Sequence, residues 1–232
     1  MRLRIITLVL LIVSIFSFSY YARKHYFKIP PSLDDIDDYA VTYIFGNGGE
    51  NEEFLESCLR KMEAKQVIMV VTATGENKSK YESTSFKAVV KHVYKGENYV
   101  SVGDEIEILN QYMKAHDYDS PPHIEEGFTY LDPKTLMGTF TNLMEKDKDY
   151  LVFVDSAESL YGVKKKIFCI ESYEEMYLCL ENINNTVIDN PGISIRYELV
   201  KNNEFFAKDR EHLDMLLNWK KEVLKKYEEL NY

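Results

Sequence analysis

The sequence predicts a mainly β fold with flanking helices: a small five-stranded barrel and a C-terminal amphipathic helix, behind one N-terminal transmembrane segment. Three observations predict it. Residues 5–22 carry no charge and are apolar almost throughout, bracketed by Arg2 and Arg4 before and by Arg23, Lys24 and Lys28 after. Behind this run come short β-branched or alternating segments, separated by turns that contain Gly. The last stretch repeats apolar residues at helical spacing.

The N-terminal run has two competing readings. At about 1.5 Å per residue it reaches about 27 Å, close to the apolar thickness of a bilayer. As a signal-anchor it has a long core and two rings, Tyr20 and Tyr21, at the boundary. As a cleaved signal peptide it has a basic start and a small-x-small triplet, Ser17-Phe18-Ser19. No Cys stands near its end, so a lipoprotein signal is excluded. Either reading carries the rest of the chain across the membrane, as a single-pass protein with its C-terminal domain outside the cytoplasm or as a secreted one. The anchor is the preferred reading, and a buried core helix is a third.

Residues 23–50 read as a tether, with Pro30-Pro31, two Asp pairs and the flexible turn Gly46-Asn47-Gly48-Gly49. Asn51 then caps a helix to about residue 64, with Phe54, Leu55, Cys58, Leu59 and Met62 on one face. Its acids come first and its bases last, as the helix dipole favours.

Residues 66–74 form a β-branched strand, and 75–78 a turn. Residues 83–94 form the next strand, with Phe86, Ala88, Val90, His92 and Tyr94 on one face. Residues 95–98 turn again, and residues 105–109 form a third strand. A stretch of about 35 residues, 110–147, lacks regular patterning, and a loop of that length is usually functional or an insertion. The apolar strand 150–154, another at 165–170 and a final one at 193–200 complete the β content. Ser172 and Glu175 have capping-box spacing, which leaves 173–180 open between strand and short helix. Residues 209–229 form an amphipathic helix with Leu213, Leu216, Leu217, Val223, Leu224 and Tyr227 in its stripe and Trp219 at the margin. Lys220, Lys221, Lys225 and Lys226 complement its dipole. The domain plan is therefore 1–22 signal-anchor or signal peptide, 23–50 tether, 51–200 barrel domain with insertion 110–147, and 201–232 the helix packed on it.

The net charge of the chain is −10, and residues beyond 22 carry −12, because Arg2 and Arg4 fall before that point with no acid. Such a surface argues against nucleic acid and against lying on anionic lipid. Cys58, Cys169 and Cys179 are too few and too odd for a disulfide framework. One bridge, Cys169 to Cys179, is open outside the cytoplasm, whereas Cys58 lies on an apolar stripe and reads as core.

The order of these segments is distinctive: apolar strand, turn, a long strand ending in Lys95-Gly96, then Val102-Gly103-Asp104-Glu105-Ile106, a loop, and Tyr150-Leu151-Val152-Phe153-Val154. It resembles the OB-fold barrels of the tissue-inhibitor-of-metalloproteinases and netrin-module type, and looks closest to their exported bacterial relatives, over about residues 66–170. The resemblance implies an OB-fold-like five-stranded barrel. It does not carry the animal inhibitors' mechanism, which needs a mature N-terminal Cys, because no Cys precedes Cys58 here.

OB barrels bind ligands on one face through aromatic residues. Tyr94, Tyr99, Tyr112, Tyr118, Phe128 and Tyr130 supply rings without a basic groove, so the candidate ligand is a protein, peptide or carbohydrate of the cell envelope. A second cluster in the 110–147 stretch, His116, Asp119 and His123, has metal-binding residue types but matches no established spacing. No glycine-rich phosphate loop, Gly-x-Ser-x-Gly or His-Glu-x-x-His occurs. The leading expectation is a non-enzymatic binding module that needs no cofactor. The alternatives are a secreted metal-dependent hydrolase using the His116/His123 loop, and a structural envelope protein.

Overall fold

The computed structural model describes residues 12–18, 20, 33–42, 44–80, 83–117, 124–125, 128–129, 134–157, 166–188 and 194–229. The chain divides into two compact units, Met1–Pro30 and Pro31–Tyr232. In the first, residues 12–18 are helical and expose large apolar side chains, Phe16 at 71 % and Phe18 at 72 %. Among the described residues no helix is long and apolar enough to cross a membrane. Tyr20 is exposed as well, and the rest of the 5–22 run lies outside the described residues.

The second unit is built on a five-stranded barrel. Its strands are β2 (Val67–Lys80), β3 (Ser83–Lys95), β4 (Glu105–Asn110), β9 (Asp149–Ser156) and β10 (Ile167–Ile170). β2 pairs antiparallel with β3, and β3 with β4. β4 runs parallel to β10, and β9 closes the ring by pairing antiparallel with both β10 and β2. Numbered along the chain, the barrel order is 1-2-3-5-4-1, which fits an OB fold.

The apolar runs in β2 and β9 are continuous because both faces are buried. Val67, Met69, Val71, Tyr150, Val152 and Val154 fill the barrel with Phe86, Ala88, Val90, Ile106, Ile108, Phe168 and Ile170. The alternate residues Ile68, Val70, Leu151 and Phe153 face outward into a second core. Two helices cover it: α1 (Glu52–Glu63), through Leu55, Cys58 and Met62, and the C-terminal α3 (Arg210–Glu229), through Leu213, Leu216, Trp219, Val223 and Tyr227. Burying one such large side chain contributes about 1.5–3 kcal/mol, so the helices stabilise the same strands that the barrel interior does.

Several expectations change. The turn at 75–78 is instead a bulge inside β2: Ala73 faces Ala88 while Asn77 faces Phe86, and Gly75 adopts φ +82° in the excess. Polar turn-forming residues serve the bulge, with Asn77 donating to the Met144 carbonyl at 3.1 Å. A further register shift between Val70 and Val71 flips the end of β3. Val93 thus packs toward the barrel core, while His92 and Tyr94 leave the face that Phe86, Ala88 and Val90 occupy.

The final strand at 193–200 shrinks to β12 (Ile195–Arg196) and gives way to a helical turn, α2 (Tyr197–Val200), because Tyr197 and Val200 bury one helical face. Residues 173–180 form a turn and the short β11 (Leu178–Cys179), which pairs with β9. In α3, Trp219 and Lys220 are buried rather than marginal and solvent-facing.

The second half of the expected tether belongs to the core. After a 3-10 turn at Leu33–Asp38, β1 (Ala40–Val41) lies between β12 and β8 (Lys134–Met137), with β5 (Lys114–Asp117) beyond β8. Tyr39, Ala40, Val41, Ile44 and Phe45 are all buried. β8 and β5 come from the 110–147 stretch, as does the pair β6 (Ile124–Glu125) and β7 (Phe128–Thr129), so that insertion carries strands of its own.

All three cysteines are free and buried. Cys169 faces Asp155 and Cys179 faces Tyr150, five residues apart along β9. That is about 16 Å, well beyond the Cα separation a disulfide spans.

Candidate functional site

Among the described residues, the rings that the sequence singles out are dispersed. Tyr94 is half-buried on β3 and packs in the helix-covered core, its ring 5.0 Å from Tyr227 and 4.5 Å from His92. Tyr99 sits in the β3–β4 turn, packed against the barrel core. Tyr112, just after β4, is exposed. Phe128 lies in β7 opposite Glu125, and Tyr118 and Tyr130 lie outside the described residues. His116 is placed in β5 opposite Thr135, while Asp119 and His123 lie outside the described residues. Among the described residues, no group of three or more His, Cys, Asp and Glu side chains is arranged to hold a metal ion.

Tyr112 instead joins rings that sequence reasoning passed over. It lies 6.3 Å from Tyr173, which stacks on Phe54 at 6.4 Å and 18° and meets Phe140 edge-on at 6.2 Å. Phe45 continues the cluster inward, 5.4 Å from Phe140 and 6.3 Å from Phe54. Tyr112 is exposed, Phe54 and Tyr173 are half-buried, and Phe45 and Phe140 are buried. The result is an aromatic shelf at the surface, rooted in the core by edge-to-face contacts of the kind aromatic pairs prefer.

Local hydrogen bonding fixes each surface ring. Asn51 caps α1 and its Oδ1 accepts from the Phe54 amide at 3.0 Å. Asn110, fully buried at the end of β4, accepts from the amides of Tyr112 at 3.0 Å and Met113 at 2.9 Å, turning the chain so that Tyr112 emerges. Ser172 holds the third loop: its Oγ accepts from the Glu174 amide at 3.3 Å and its carbonyl from the Glu175 amide at 3.1 Å. The Ser172/Glu175 spacing was thus a real signal, but for a turn rather than a helix. No family model and no curated protein matches this chain.

Next to the shelf, Glu174 pairs with Lys61, and the neighbouring Lys65 gathers three carboxylates. Its ammonium lies 2.8 Å from both Asp155 and Glu175 and 3.9 Å from Glu171. Burial works against the Lys65 charge, but its hydrogen bonds to Asp155 and Glu175 outweigh that and hold its pKa above the usual value. Burial pushes the Glu175 carboxyl up, opposed by Lys65 and by the Glu171 amide, which donates at 2.9 Å. An ammonium already fills the centre of this carboxylate group, and its role is to brace the loop that carries Tyr173.

No thiol is prepared as a nucleophile. Burial first, then Glu174, pushes Cys58 up to about 12, and burial raises Cys169 and Cys179 as well. All three therefore remain neutral thiols at physiological pH, without thiolate reactivity. What this face offers is contact: flat rings, two phenols and nearby carboxylates.

Proposed function

We propose that this protein is a membrane-tethered, extracytoplasmic binding module on an OB-fold-like barrel, acting without catalysis of its own. The observation that carries the reading is the surface shelf of Tyr112, Tyr173 and Phe54, each ring positioned by its own turn or cap. Contiguous exposed apolar patches mark interaction sites, and here Tyr112 is exposed with Phe54 and Tyr173 half-buried beside it. Kinship with the exported relatives of the tissue-inhibitor-of-metalloproteinases and netrin-module barrels is part of the proposal, supported by the strand order and its parallel β4–β10 pair. Tethering is supported by the uncharged run 5–22 and the exposed apolar side chains of residues 12–18.

Two measurements test it. Cell fractionation with mass analysis of the mature N-terminus is expected to find an intact N-terminus in an alkali-resistant membrane fraction. A chain beginning near Tyr20 would sink the tether. Cross-linking capture from intact cells is expected to recover a discrete partner with the wild type and much less with Tyr112→Ala. Equal recovery with both would remove the shelf from the function.

A further inference from the structure

We propose that the shelf of Tyr112, Tyr173 and Phe54 receives a cationic peptide segment, with a Lys or Arg side chain over the rings and the acidic first turn of α1 beside it. This rests on the binding-module reading and names the class of partner.

An aromatic face attracts a cation through its quadrupole, and Arg in particular also stacks on it. Tyr112 offers 42 % of its surface, and the half-buried Phe54 and Tyr173 rings, stacked on each other, stand behind it.

Glu52 and Glu53 form the first turn of α1, directly before Phe54, and both are exposed. Among the described residues neither makes an ion pair, whereas their neighbours are engaged. Glu50 accepts from the Gly46 and Gly48 amides, both at 2.9 Å, and Glu56 faces Arg60 at 3.9 Å. Two uncommitted carboxylates thus directly precede Phe54 in the first turn of α1, on a chain carrying −12 beyond residue 22. A polyanion is repelled by this arrangement. A neutral glycan stacks on the rings and donates hydroxyls to carboxylates, but it brings no charge to complement Glu52 and Glu53. A basic peptide uses both.

The test is fluorescence anisotropy on the full chain in detergent micelles, with a fluorescein-labelled (Gly-Arg)4 peptide as probe and (Gly-Glu)4 and chitohexaose as comparison ligands. The expected Kd for (Gly-Arg)4 rises at least about five-fold in Tyr112→Leu, an exposed position where folding is preserved. It rises similarly in the Glu52→Gln/Glu53→Gln pair. It stays within about two-fold in Glu97→Gln/Glu105→Gln, which makes the same charge change at exposed sites at the other end of β4. Unchanged binding in Tyr112→Leu, or equal weakening by both charge pairs, would overturn the proposal in favour of diffuse attraction to an acidic surface. Chitohexaose binding that Tyr112→Leu abolishes, without peptide binding, would overturn the cationic class and leave the module standing. Binding of neither ligand, together with partner capture indifferent to Tyr112, would remove both.

Discussion

Lys220 and Glu204 are exposed by only 5 % and 3 %, and they tie α3 to the sheet. The ammonium donates to Glu204 Oε2 at 2.6 Å and to the Glu181 carbonyl at 2.9 Å, while Glu204 Oε1 accepts from the Cys179 amide at 2.9 Å. Removing one partner strands the other charge, so Glu204→Gln or Lys220→Met is expected to cost about 3–5 kcal/mol in urea unfolding. The double variant Glu204→Met/Lys220→Met is expected to recover more than half of that loss, the remainder reflecting the orphaned amide and carbonyl. In sequence, Lys220 is one of four lysines that suit a helix end. Its burial was illegible, because the partner sits 16 residues upstream with no local pattern linking the two. The cap of the same helix gives a pH prediction. The Asp209 carboxyl is held below its ordinary value by the His212 amide, at 3.0 Å, and then by the His212 ring. Its folded pKa lies below the unfolded one, so its contribution is complete above the unfolded value, about 3.9, and is lost as pH falls through the folded value. Asp209→Asn keeps a capping oxygen without the charge, and its urea midpoint is expected to fall less than the wild type's between pH 5 and pH 3.

At the scale of elements, two turn glycines separate geometry from crowding. Gly96 and Gly103 both adopt positive φ, +93° and +88°, flanking the β3–β4 turn. A Cβ on Gly103 meets nothing within 4 Å, whereas one on Gly96 meets Val67 Cγ2 at 2.7 Å and the Gln66 carbonyl at 2.8 Å. Gly103→Ala is therefore expected to cost about 1 kcal/mol from backbone strain alone. Gly96→Ala should cost about 2 kcal/mol or more, a Tm loss at least twice as large in thermal melts. The barrel strands were legible because β-branched runs and Gly-bounded turns report directly on pleat and reversal. Which face each residue takes was legible only up to the bulge at Val70/Val71, since a single extra residue inverts the alternation and leaves no mark on composition. The helical turn at Tyr197–Val200 was hidden for a related reason: a segment of only four residues fits either period.

For the whole molecule, the candidate site was half-legible. The reading that rings would carry binding came from composition, and Tyr112 was among them. Phe54 and Tyr173 were missed because one belonged to a helix stripe and the other to a segment of open structure. They meet only when α1, the end of β4 and the β10–β11 connection converge. The division of the chain yields a further prediction. A chain beginning at Pro31 keeps the entire second unit and is expected to match the full-length domain in near-UV circular dichroism and Tm. One beginning at Gly49 loses Tyr39, Val41 and Ile44 from one core and Phe45 from the other, and is expected to lose its near-UV signal.

The place of β1 between β8 and β12 has a consequence for release under the proposed membrane tether. A protease cutting before Leu33 sheds an intact domain. One cutting beyond Asp38 pulls an inner strand out of the small sheet and sheds a damaged domain. Under that proposal attachment and integrity are coupled around residues 33–41, so that well-folded protein released from a cell would itself report where the cut was made.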